Sequence, residues 1–189
     1  MKKNKKILIV LGILLIILIL FIVITKKPTS KIIEEYLLTK DFVKEENSTL
    51  YTKTISDISL DKFEENISNK IDSTYEKLSF NLDNYQLTKV EKKYEDEIFT
   101  TFTPTYYYST DKLNYIYRIT LNSTNVILEG SYDYNTDDFI CETTYAHDID
   151  IDKSEAAFCE KIKYDVKDFY FEALNLITNA KLLEYMKEN

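Results

Sequence analysis

The sequence predicts an α+β fold: an N-terminal transmembrane helix, then a twisted antiparallel sheet of four to six strands packed against a long C-terminal helix and one or two short N-terminal helices. Three observations carry that expectation. Ile7 to Ile24 is an unbroken apolar run; residues 78–146 alternate apolar and polar side chains in strand fashion; and from Phe158 onward apolar side chains recur at helical steps of three and four.

The apolar run covers 18 residues. As a helix rising about 1.5 Å per residue it spans about 27 Å, close to the hydrocarbon thickness of a bilayer. A cleavable export signal has a shorter apolar region, about 7 to 15 residues, followed by small residues. Here the run ends in Ile24-Thr25-Lys26-Lys27-Pro28, so the segment is expected to stay as an anchor. Both cysteines lie beyond residue 140, which removes a lipid attachment next to the run. Lys2, Lys3, Lys5 and Lys6 precede the span against Lys26, Lys27 and Lys31 just after it. That excess orients the N-terminus to the cytoplasm. The expected organisation is a cytoplasmic segment at 1–6, an anchor at 7–25 and an extracytoplasmic α+β domain at 28–189, in the cell membrane with one span.

Pro28 cannot sit inside a helix, and Thr29 or Ser30 can cap a new one, so a short helix is expected from about Ser30 to Phe42 with Ile32, Ile33, Tyr36 and Leu37 as its stripe. Leu50 to Ile55 is a weak strand. Ser59 can cap a second helix whose Leu60, Phe63, Ile67 and Ile71 are helically spaced. Leu78, Phe80 and Leu82, a turn at Asp83-Asn84, then Tyr85 and Leu87 read as a hairpin. Ile98 to Tyr108 contains Pro104, which predicts an edge strand or a bulge because proline cannot donate to a ladder. Leu113 to Leu121 alternates most regularly, with Leu113, Tyr115, Tyr117, Ile119 and Leu121 on one face. Turns at Asn122–Asn125 and Asn135–Asp138 lead into strands at Val126–Tyr134 and Phe139–Ala146. Short connections favour an antiparallel meander. The last helix starts near Asp152 to Glu155 and carries Phe158, Ile162, Val166, Phe169, Ala173, Leu176, Ala180 and Leu183. Its stripe needs a partner, and one face of the sheet supplies it. The tyrosine-rich outer face is then expected to stay wet or to meet something else. No internal repeat is legible.

Composition excludes more than it assigns. The 189 residues hold two glycines, one of them within the apolar run, so neither a dinucleotide fingerprint nor a phosphate-binding loop can be built, and no nucleotide or other cofactor is expected. The single histidine, single arginine and absent tryptophan leave few catalytic side chains, and no catalytic residue is nominated. After residue 27 there are 18 basic against 32 acidic residues, a net of −14. Such a body repels nucleic acid and is compatible with cations and basic proteins. Abundant Ile, Lys, Asn and Tyr with scarce Ala, Gly and Arg fits an AT-rich bacterial genome.

Four groups of residues invite a functional reading. Cys141 and Cys159 fall in the last strand and the last helix, and an even cysteine count outside the cytoplasm predicts a bridge worth about 3 kcal/mol. Asp148, Asp150 and Asp152 imitate three ligands of a calcium loop, but Lys153 stands where the loop needs glycine and Cys159 where it needs glutamate. They are weak metal candidates beside the simpler reading of a solvated turn and helix cap. Asp133, Asn135 and Asp137 start the same pattern and break it at Asp138. Tyr106, Tyr107, Tyr108, Tyr132 and Tyr134 could form a recognition surface, since tyrosine offers a large amphipathic ring at low entropic cost, or could be sheet core. The expected function is a membrane-anchored, non-enzymatic interaction module that docks a protein of the envelope. The alternatives are a cation or ligand sensor using the acidic loop and a carboxylate- or metal-dependent hydrolase.

Overall fold

The computed structural model describes residues 28–121, 124–147 and 155–188. The expected anchor at 7–25 lies outside them; among the described residues no helix is long and apolar enough to cross a membrane. The chain divides into two units, residues 1–40 with 174–189, and residues 41–173. The described elements are α1 (Ser30–Thr39), β1 (Val43–Lys44), β2 (Leu50–Thr54), α2 (Leu60–Ser68), β3 (Ser73–Asn81), β4 (Gln86–Glu95), β5 (Ile98–Tyr107), β6 (Lys112–Leu121), β7 (Thr124–Asp133), β8 (Asp138–His147) and α3 (Glu155–Glu188). The class is α+β, as expected.

In the first unit, α1 buries Ile33 and Leu37, one turn apart, and the last part of α3 buries Ile177 and Ala180. Glu184 accepts from the Thr29 amide at 3.3 Å, and Lys187 pairs with Glu35. The helix α1 stops at Thr39 rather than Phe42 because Asp41 takes a left-handed φ of 64°, which α-helix cannot continue.

The second unit holds one antiparallel sheet in the order β1 to β8, every strand beside its sequence neighbour. This corrects the expected four to six strands to eight. The additions are at the start: β1 is two residues, too short to show a period, and β2, expected at Leu50 to Ile55 only as a weak strand, joins the sheet with a single fully buried side chain, Tyr51. Pro104 is the second correction. Strand β5 lies in the interior of the sheet, fully paired with β6. On the other side, the β4 ladder runs through Thr88↔Thr105, omits the next two pairs and resumes at Glu91↔Phe102 in unchanged register. No residue is inserted. The sheet tolerates proline there by leaving open the rungs opposite Lys89 and Val90. The one register shift is between β7 and β8, where Thr144 is extra and its hydroxyl donates to the Ile127 carbonyl at 3.4 Å.

Register separates the two faces. One carries the rows Tyr51, Phe80, Leu87, Tyr106, Leu113, Tyr132, Phe139 and, two residues on, Leu78, Lys89, Pro104, Tyr115, Gly130, Cys141. The segment 155–173 of α3 packs on this face, burying Ile162, Val166, Phe169, Tyr170 and Ala173. Tyr75, Tyr94 and Phe99 are out of phase with those rows and form a separate core with Phe63, Leu60 and Ile67 of α2. So α2 covers the opposite face, which corrects the expectation that the helices share one. The Ser59 hydroxyl caps α2 as expected, accepting from the Lys62 amide at 3.2 Å.

The structure also contains a repeat that the sequence hides. Hairpins β3–β4, β5–β6 and β7–β8 turn through left-handed residues at equivalent places, Tyr85, Asp111 and Asp137, with φ of 51°, 54° and 53°. Each turn is flanked by a cross-strand pair, Phe80↔Leu87, Tyr106↔Leu113 and Tyr132↔Phe139. Successive hairpins are thus offset by twenty-six residues. The copies share geometry and apolar character rather than residue identity.

Candidate functional site

A cleft of about 440 Å³ opens where the helix-covered face of the sheet runs past the apolar core toward the β4–β5 turn. Its floor follows from strand alternation. Ile98, Thr100 and Phe102 of β5 point to one side, as do Tyr117, Ile119 and Leu121 of β6 and Thr124 and Val126 of β7. The first turns of α3 make the other wall with Phe158, Lys161 and Asp165, spaced by three and four and hence on one helix face. Glu91, Lys93, Glu95 and Asp96 of β4 and its turn form the rim. A concave apolar floor with a few polar groups at its edge is the usual form of a binding site.

The rim charges are unevenly balanced. Lys93 holds Glu95 at 2.6 Å, which raises the lysine and lowers the carboxyl from their ordinary values. Deeper under α3, Lys89 lies 2.8 Å from Glu76 and 3.4 Å from Glu91. Burial opposes the charge on Lys89, yet its bond and attraction to Glu76 dominate in sum and its ammonium is held above the ordinary range. Burial pushes the Asp165 carboxyl up, and the charge of Glu91 pushes it the same way. Glu172 is also raised, by burial first. Burial raises Tyr117 too, against a hydrogen bond with Thr100. The cleft therefore sets one partly desolvated carboxyl, Asp165, beside an apolar floor.

None of the five tyrosines nominated from sequence lines this cleft. Tyr106 and Tyr132 are 2% and 3% exposed, so as members of a recognition surface they are corrected to core. The reason lies in their hydroxyls. Tyr106 donates to Asp111, Tyr132 donates to Asp137 Oδ1 at 3.0 Å, and a tyrosine so satisfied can be buried. Tyr170 of α3 sits edge-on against Tyr106, with ring centroids 5.2 Å apart, and its hydroxyl donates to Asp111 Oδ1 at 3.1 Å. Tyr108 is half-buried and donates to the Ala173 carbonyl; Tyr107 is also half-buried. Tyr134, stacked on Tyr170 at 4.7 Å and edge-on to Phe171, is the exposed one of the five. These rings fasten helix to sheet, and the wet face is instead rich in threonine and charge, with Thr101, Thr103, Thr105 and Arg118 on β5 and β6.

Cys141 and Cys159 form the expected disulfide, with Cα atoms 5.8 Å apart. It ties β8 to α3 beside a second clasp, in which the Thr143 amide and hydroxyl donate to Glu155 Oε1 at 3.0 and 2.7 Å. Asp148, Asp150 and Asp152 lie outside the described residues, and among the described residues no cluster of three potential metal ligands occurs. The residues that sequence reasoning missed are Glu91, Phe158 and Asp165. Glu91 falls in Lys89–Glu95, whose charges mask the strand period, and the other two became significant only once α3 was laid over a particular row of the sheet. No protein-family model, curated protein or solved structure matches the chain.

Proposed function

We propose that this chain is a single-pass membrane protein whose acidic extracytoplasmic body is a non-enzymatic interaction module, taking a segment of a partner protein of the envelope into the cleft between β4–β7 and the start of α3. The cleft floor carries the reading: Ile98, Phe102, Ile119, Leu121, Val126 and Phe158 offer one apolar concavity on a framework fixed by sheet and disulfide. Rigid elements of this kind present a site without an ordering cost at binding. The apolar run at 7–24, with four lysines before it, supports the anchored placement.

A photo-crosslinking side chain at Leu121, inside the cleft, tests the reading in intact cells, with Ile140 on the opposite sheet face as reference. A discrete adduct with one envelope protein from position 121 and none from 140 is the expected result. Adducts with lipid alone, or the same adducts from both positions, would overturn it. Protease added to whole cells should digest the body; full protection would overturn the placement.

A further inference from the structure

We propose that the segment received by the cleft is basic as well as apolar, a stretch of partner chain with a lysine or arginine between large apolar residues, its cation held between Glu91 and Asp165. The inference rests on the interaction reading above and specifies the chemistry of the partner.

Charge complementarity selects this occupant. The cleft is bordered by four carboxylates, Glu91, Glu95, Asp96 and Asp165, and two lysines. One of those lysines, Lys93, is engaged by Glu95. Behind the wall Lys89 is divided between Glu76 and Glu91. Glu91 of β4 and Asp165 of α3 line the same cleft from its two sides. Lys89 reaches Glu91 only as its second partner after Glu76, and the carboxylates of the lining outnumber its lysines. A cation placed there offsets the excess of negative charge in the lining, an anion adds to it, and a neutral side chain leaves it unchanged. The net charge of −14 beyond residue 27 steers basic segments toward the site and opposes a second copy of this chain. The floor then takes the flanking apolar side chains, which a free inorganic cation lacks.

The test uses the full chain in phosphatidylcholine nanodiscs with labelled methyl groups, so that binding is read at Ile98, Ile119, Leu121 and Val126. The probes are three blocked peptides, Leu-Ile-X-Leu-Phe with X as lysine, norleucine or glutamate. The lysine peptide should shift these methyls saturably and bind more tightly than the norleucine peptide by about tenfold, the scale of a partly buried charge pair. The glutamate peptide should bind weakest. The doubly substituted Glu91→Gln, Asp165→Asn chain, with an unchanged methyl spectrum before titration, should lose the ranking. Equal binding of all three peptides would overturn the charge assignment while leaving the cleft reading intact. Undisturbed methyls with every peptide would overturn both. If the double variant does not fold, the ranking on the native chain decides by itself.

Discussion

Tyr132 donates its hydroxyl to Asp137 Oδ1 at 3.0 Å, and the same oxygen accepts from Lys167 Nζ of α3 at 2.7 Å. Twenty-six residues earlier Tyr106 donates to Asp111, whose Oδ1 also accepts from Tyr170 of α3. Each turn carboxylate thus takes one tyrosine from its own hairpin and one side chain from the helix. The repeat is what gives α3 two equivalent attachment points.

The two attachments should differ in strength. Tyr106→Phe removes a bond to a carboxylate from a ring that is 2% exposed, and urea unfolding followed by near-ultraviolet dichroism should show a loss of about 1.5–3 kcal/mol. Tyr132→Phe should lose about 1 kcal/mol, because Asp137 is largely solvated and water can replace the lost donor. Equal losses, or a larger loss at Tyr132, would refute the ranking.

Gly130 lets the Tyr115 side chain of β6 pass over β7 to the Ile140 carbonyl of β8. A β-carbon there would lie 1.9 Å from the Ile140 carbonyl oxygen and 2.6 Å from the Tyr115 hydroxyl. Tyr115 uses that hydroxyl to bond the same carbonyl at 2.9 Å. Gly130→Ala should therefore cost about 2–4 kcal/mol, in the range of overpacked cores and broken buried bonds. Adding Tyr115→Phe should not restore stability, since the closer obstacle is backbone. Restoration by the double variant would show that the hydroxyl alone sets the limit.

Reduction of the Cys141–Cys159 bridge opens a loop with a sequence separation of 18. The expected loss is about 3 kcal/mol on the chain-entropy account. Hydrogen exchange should accelerate first in β8, the sheet edge that the bridge and Glu155 hold to α3. Thiol reagent applied to denatured, unreduced protein should label nothing; two labelled sites would contradict the bridge.

Asp165 gives a pH signature. Its folded value is raised above the ordinary 3.8, so the folded state binds this proton more tightly than the unfolded chain. The penalty is complete above the folded value, fades as pH falls through it, and vanishes below the unfolded value. Asp165→Asn should raise the melting temperature at about pH 7 and leave it unchanged near pH 3. Destabilisation at neutral pH would mean that Asp165 makes a favourable pairing which outweighs its burial.

The sequence by itself determined the α+β class, the capped helix at Ser59, the strands from Ile98 to Ala146, the long last helix and the cysteine pair. These depend on periods of two and about 3.6, on turn residues and on caps, all of which act between near neighbours in the chain. Only the tertiary structure decided which face each helix covers, that Pro104 sits in the interior, and that the tyrosines are fasteners. Those outcomes depend on register between strands and on which row of the sheet α3 overlies. The cleft belongs to the second group: Glu91 and Asp165 are far apart along the chain and line one cleft only because β4 extends through a run of charges with no legible alternation. The twenty-six-residue repeat was hidden for a related reason, since a left-handed turn accepts tyrosine or aspartate once the flanking pairs hold it, leaving the geometry constant while the letters change.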